Sequence, residues 1–125
     1  MTEGDVYIEI GEAGFASLAR AFYAQVAGDD ILGLMYPDGD LAGAEERLRD
    51  FLVSRFGGPD RYGERRGHPR LRMRHALFHI DRAARERWIT LMERALDQAA
   101  LAAEADALLR AFFRDTANFL INRPG

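Results

Sequence analysis

At 125 residues the chain has the length of one domain, and its 48% hydrophobic and 30% charged residues are an ordinary globular balance that excludes a disordered or fibrous protein. A formal net charge of -3 excludes a generic polyanion binder, and the absence of cysteine excludes a disulfide framework, iron–sulfur clusters and thiolate metal sites. No run approaches a membrane span of roughly eighteen apolar residues, and the acidic start, Met1 to Glu12, lacks the basic region of a signal peptide, so a cytoplasmic location is expected.

The pattern is helix after helix. From Glu12 to Ala27, the spacing of Phe15, Leu18, Phe22 and Val26 predicts a helix with one apolar face, and Tyr23 stands on its flank. A short segment from Asp30 to Met35 leads to Tyr36, and Pro37-Asp38-Gly39-Asp40 reads as a turn. Asp40 is placed to cap a helix from Leu41 to about Phe56, with Ala44, Leu48, Phe51 and Leu52 inward and Gly57-Gly58-Pro59 as its stop. Asp60 to Gly67 reads as a polar connection. Pro69 suits the first turn of a short helix carrying Leu71 to His75 and fading near Phe78. Asp81 can cap a helix from Arg82 to about Asp97, with Ala84, Trp88, Leu91, Met92 and Ala95 on its stripe. The last helix, from about Ala102 to Ile121, is expected to turn Ala105, Leu108, Leu109, Phe112, Thr116 and Phe119 inward. No segment reads as a strand, so the fold class is all-α and the chain a single domain over residues 1–125.

Three histidines are present: His68, His75 and His79. His68 precedes a proline and belongs to the connection or acts as a cap. His75 shares a helix face with Leu71 and Phe78, which places an imidazole between two large apolar groups. Two readings stand: a partly buried histidine bonded to a backbone carbonyl, or an axial ligand to a haem packed against those neighbours. His75 and His79 also form a His-x-x-x-His pair, but Ala76-Leu77-Phe78 between them include no acid, which argues against a zinc site. Tyr23, Tyr36 and Trp88 are aromatic rings with one polar hydrogen each. They read either as amphipathic residues at the edge of a core or as donors toward a ligand carrying partial negative charge. The arginines Arg61, Arg65, Arg66, Arg70, Arg72 and Arg74 form a basic stretch interrupted by Glu64. A solvated face is the ordinary reading of such a stretch, and a grip on carboxylates, shared with Arg47, is the alternative.

Several of these segments resemble the group II truncated haemoglobins. Phe22-Tyr23-Ala24-Gln25-Val26, Tyr36-Pro37 and the run from Asp40 to Leu48 are similar to the family's B, C and E regions. Gly57-Gly58-Pro59 with Tyr62 is similar to its E–F connection, and Arg66 to Ala76 to its proximal stretch, while Trp88 falls at its G-helix tryptophan. The resemblance is close from Phe15 to Leu96 and looser over the last helix. It implies a two-over-two helical sandwich in which the B/E and G/H helix pairs cross around one haem b per chain. His75 would be the iron ligand, and Tyr23, Tyr36 and Trp88 the donors on the ligand side. Ala44 stands where many globins keep a distal histidine, and a methyl cannot ligate iron or hydrogen-bond a ligand, so polar stabilisation must come from elsewhere. The cofactor pocket implied comprises Arg47, Leu48, Phe51, Leu52, Tyr62, Leu71, Arg74, His75, Phe78, Ile80, Trp88 and Met92.

The function expected on this basis is reversible binding of dioxygen, carbon monoxide or nitric oxide. The alternative is a peroxidase or nitric oxide dioxygenase working at the same site, with peroxide as a further ligand and a separate reductase as partner. An association of like chains stays open, and no nucleic-acid partner is expected. A third class, a haem-free helical protein that uses the arginine-rich segment as an interaction surface, is the least favoured.

Overall fold

The computed structural model describes residues 1–36, 39–75 and 80–123, and among them every regular element is helical. Six α-helices follow in order: α1 (Val6–Val26), α2 (Leu41–Arg55), α3 (Arg61–Arg66), α4 (Leu71–Arg74), α5 (Arg82–Ala99) and α6 (Ala103–Leu120), with short 3-10 turns at Glu3–Asp5 and Gly33–Met35. None of the helices is long and apolar enough to cross a membrane.

Helix α1 begins earlier than the sequence periodicity predicts. Gly11 has φ +67° and ψ 179°, a conformation open to glycine because it lacks a Cβ, and the chain kinks there. The kink interrupts the apolar spacing, so the turns before it carry no readable stripe. They are nevertheless helical and anchored: Val6 is fully buried, the Tyr7 ring stacks on Phe15, and the Tyr7 N–H donates to the Phe56 carbonyl at 3.0 Å. Beyond the kink, Phe15, Leu18, Phe22 and Val26 are all buried, as their spacing predicts.

Asp40 caps α2 by accepting from the Gly43 N–H at 3.0 Å. Gly57 ends the segment with φ +101°, and its backbone passes so close to Gly4 that a Cβ there would sit 2.1 Å from the Gly4 carbonyl oxygen. The polar stretch after Pro59 is not a plain connection. Asp60 accepts from the Gly63 N–H at 3.0 Å and starts α3, repeating the Asp-x-x-Gly cap of α2. Ion pairs tie α3 down: Arg61 to Glu12 of α1, and Arg65 to the buried Asp50 of α2 at 3.2 Å. A buried carboxylate without such a partner would cost several kcal/mol. Helix α4 is a single turn, entered through Arg70 at φ +45° and closed by His75. His68 lies in the connection, and its Nδ1 accepts from the Arg70 N–H at 3.0 Å.

Asp81 caps α5 through the Ala84 N–H at 2.9 Å, and Ala100 leaves it in the left-handed region at φ +50°. α1 packs on α2 and on α5, α5 packs on α6, and α4 touches α6. The α1–α2 pair over the α5–α6 pair is the two-over-two sandwich expected from the resemblance. Its core is held by Phe15, Leu18, Phe22, Leu52, Phe56, Met92, Leu96 and Leu109, each fully or almost fully buried. Every such side chain contributes about 1.5–3 kcal/mol relative to exposure. One expected core residue is outside: Phe119 is 53% exposed and lies under the Arg72 guanidinium, 5.0 Å from its ring centroid. Phe113 and Ala117 take the inward positions on that stretch of α6.

Candidate functional site

The four long helices do not close completely. Between them lies an apolar cavity of about 190 Å³ that opens to solvent. His75 lines it together with Leu71 and Ile80. The His75 Nδ1 lies 2.7 Å from the Leu71 carbonyl oxygen. A carbonyl can only accept, so Nδ1 carries the proton, and the tautomer selected is the one whose lone pair lies on Nε2. A bonded histidine and a histidine ready to ligate are thus the same arrangement, since ligating imidazoles are oriented by the hydrogen bond of the other nitrogen.

Tyr23 of α1 and Tyr36 line the same cavity, with their hydroxyl oxygens 3.3 Å apart and their rings edge to face at 5.5 Å. Burial pushes the Tyr23 phenol far above the ordinary tyrosine range, with the neighbouring Tyr36 adding to the shift. Burial also raises Tyr36, against the opposing pull of its bond with Tyr23 and of the Arg47 charge. Both phenols therefore keep their protons through neutral pH and remain donors. One contact between two hydroxyls uses one proton, so the pair retains one O–H for a further acceptor. Trp88 of α5 completes this group. Its indole packs between Phe22 at 5.2 Å and Phe113 at 5.4 Å, and its N–H has no hydrogen-bond partner among the described residues.

Of the other residues expected around a cofactor, Leu48 and Phe51 of α2 also line the cavity. Leu52 and Met92 do not: both are fully buried behind it in the core. Tyr62 packs edge-on against Phe51 at 5.6 Å and faces a separate shallow surface pocket beside His68 and Pro69. Arg47 lies 3.7 Å from Asp40. Phe78, His79 and the side chain of Arg74 lie outside the described residues. Ala44 is buried on α2, where its methyl offers no donor or ligand.

Other wall residues escaped the sequence pattern. Leu32 and Met35 come from the 3-10 turn before Tyr36 and its start, and Phe113, Ala117 and Leu120 from α6. Arg85 also reaches the wall, its Nε donating to Asn118 Oδ1 at 2.8 Å. The only available signal for the α6 residues was the neighbouring apolar stripe; nothing marked Arg85.

Among the described residues no cluster of three or more His, Asp or Glu side chains could hold a bare metal ion. Among the described residues one imidazole lines the apolar cavity, which fits instead a metal that brings its own four ring donors, as haem does.

Comparison with known proteins identifies the family. Residues 5–122 match the bacterial-like globin family. The chain is similar to a solved thermostable haemoglobin of the actinobacterium Thermobifida fusca, at 47% identity and a TM-score of 0.92 over 96% of this chain and 98% of that one. It is similar to the haemoglobin of the thermophilic phototroph Chloroflexus aurantiacus, at 43% identity and a TM-score of 0.91 over 94% of this chain and 98% of that one. It is also 33% identical over 117 residues to the group 2 truncated haemoglobin YjbI of Bacillus subtilis, covering 94% of this chain and 88% of the relative. The chain belongs to the bacterial-like globin family and, within it, to the group II truncated haemoglobins.

Proposed function

We propose that this globin holds one haem b in the cavity through His75 and retains dioxygen there by hydrogen bonds from Tyr36 and Trp88, with Tyr23 behind Tyr36. The observation that carries the reading is that one apolar cavity is lined both by an imidazole with its tautomer set by Leu71 and by a protonated phenol pair. When bound, haem would supply an iron able to take up a diatomic gas, with His75 as the residue that would hold it.

The chain's own residues do the rest. Leu71 holds the His75 ring so that Nε2 presents a lone pair. Leu48, Phe51, Leu71 and Ile80 form apolar wall and limit the water that reaches the site. The phenol pair and the indole offer neutral donors that do not titrate near pH 7. A bound ligand with partial negative charge gains about 1.5–3 kcal/mol from each such donor, whereas carbon monoxide, nearly apolar when bound, gains much less.

A second reading, consumption of peroxide, draws support from the ring contacts that connect the cavity's aromatic residues. Tyr36, Tyr23, Phe22 and Trp88 succeed one another at centroid distances of 5.5, 4.9 and 5.2 Å, and three of the four are oxidisable.

The test is spectroscopic. The purified protein shows a Soret band, His75→Ala loses stable haem or its ligation spectrum, and His68→Ala keeps both. An unchanged five-coordinate ferrous spectrum in His75→Ala overturns the assignment. Stopped-flow mixing of the ferric form with peroxide separates the second reading from the first.

A further inference from the structure

His75 is carried by an element that cannot place it alone. Helix α4 is four residues long, and so short a helix has no stability of its own, because nucleation costs more than one turn returns. The bond from His75 Nδ1 to Leu71 is internal to that turn. It orients the ring relative to α4, and leaves α4 to be oriented relative to the cavity by something else.

That second connection comes from Asn122, just past the end of α6. Its side-chain Nδ2 donates to the His75 carbonyl oxygen at 3.1 Å. Its Oδ1 accepts from the Ile80 N–H at 3.0 Å, and its backbone N–H donates to the Ile80 carbonyl at 2.8 Å. One residue therefore grips both His75 and Ile80, which stand five positions apart in the chain and both line the cavity. α6 packs against α4 and adds Thr116 and Leu120 to the same wall. The grip passes the position of α6 directly to the peptide that follows His75.

The chemistry of the grip is specific to an amide. It needs an acceptor on one flank and a donor on the other, about one side-chain length apart. Asparagine supplies both. Aspartate would keep the acceptor for Ile80 but would turn a second oxygen toward the His75 carbonyl, where two acceptors repel.

We propose that Asn122 is a positioning residue for His75, setting the seat of the imidazole toward the haem rather than only tying down a helix end. The proposal rests on the reading of His75 as the iron ligand.

The experiment uses the haem-loaded protein and its Asn122→Asp and Asn122→Ala variants, with Arg114→Ala as control. Arg114 lies on α6 and pairs with Glu93, and it does not line the cavity. Three quantities are read: the rate of haem transfer to excess apomyoglobin, the iron–imidazole stretching band of the ferrous ligand-free form by resonance Raman, and the Tm of the haem-free chain. In Asn122→Asp, haem transfer is expected to be about tenfold faster, the size of one lost hydrogen bond. The stretching band shifts or broadens, while the haem-free Tm stays with that of Arg114→Ala. Asn122→Ala moves the first two readouts in the same direction. An unmoved band in both variants overturns the proposal, whether or not Tm falls, because a merely structural tie lowers Tm and leaves the imidazole seat unchanged. Haem transfer within about twofold of the parent overturns it as well. A His75→Ala protein that keeps the parent band overturns the ligand assignment itself, a result separate from any behaviour of Asn122.

Discussion

Replacing Tyr36 by phenylalanine removes one hydroxyl and keeps the ring. In the structure that hydroxyl lies 3.3 Å from Tyr23, beyond the roughly 2.5–3.0 Å of a good O–H···O bond. The tyrosine–tyrosine contact is therefore weak, and losing it alone is worth about 0.5 kcal/mol, near the bottom of the range for a neutral pair. A donor aimed at dioxygen is worth more, about 2 kcal/mol, which corresponds to roughly thirtyfold in the release rate. Tyr36→Phe is therefore expected to raise the oxygen off-rate about thirtyfold, and Tyr23→Phe only about two- to threefold. Trp88→Phe acts like Tyr36→Phe but also opens space, which speeds every ligand. Carbon monoxide separates the two effects, because it feels added space but little of the hydrogen bonding. The assay is ligand replacement in a stopped-flow instrument, and the quantity compared is the ratio of oxygen to carbon monoxide off-rates. If that ratio stays within about twofold of the parent in Tyr36→Phe, Trp88→Phe and their combination, the three aromatics are core packing and the donor network is wrong.

Other outcomes follow from single contacts. His79→Ala is expected to keep the haem spectrum of the parent, as His68→Ala does, and a loss of haem in either is the contrary result. Burial pushes the Asp29 carboxyl up, but the Leu32 N–H, Arg87 and the Ile31 N–H outweigh it and hold the group below the usual range. Its contribution to stability is therefore complete above the unfolded value of about 3.9 and is lost as pH falls through the lower folded value. Asp29→Asn should lower Tm at pH 7, and the gap to the parent should narrow as pH falls below about 3.9 when melting is followed by circular dichroism; a gap independent of pH contradicts this. Gly57→Ala combines a positive φ with the clash on Gly4 and should cost about 1–3 kcal/mol or more by denaturant titration. Gly39→Ala has φ +67° but open space around it and should cost less; equal losses would show that strain alone decides.

The sequence told most where a side chain declares its environment. Asp40 and Asp81 each announce a helix start, and both accept the expected backbone N–H. Asp60 sends the same signal, but α3 buries only Tyr62, and six residues with one apolar member show no stripe to read. The turns before Gly11 were hidden for a related reason: a kink resets the helical phase, and periodicity is blind across it. On α6 the choice between Phe113 and Phe119 depends on where the helix meets α4 and α5, which spacing does not contain. The cavity was legible at His75, Tyr23, Tyr36 and Trp88, since aromatic and imidazole groups on apolar faces are few. Arg85 and Asn122 were not, because a polar residue at a wall or a clamp looks in sequence like any solvated one. Leu52 and Met92 show the converse: an apolar residue on the right face lies behind the wall as readily as on it.

The brevity of α4 shapes how the molecule comes apart. Free energies of local opening scale with the contacts and hydrogen bonds an element must break. α1, α5 and α6 are 21, 18 and 18 residues long and interlock through the core, whereas α4 is one turn whose Met73 and Arg72 face solvent. The turn that carries His75 can therefore open while the long helices stay folded. With His75 as the haem ligand, as proposed, cofactor release and chain unfolding become two events with separate barriers, and a heated sample is expected to shed its pigment while its far-ultraviolet dichroism is still that of the native helices.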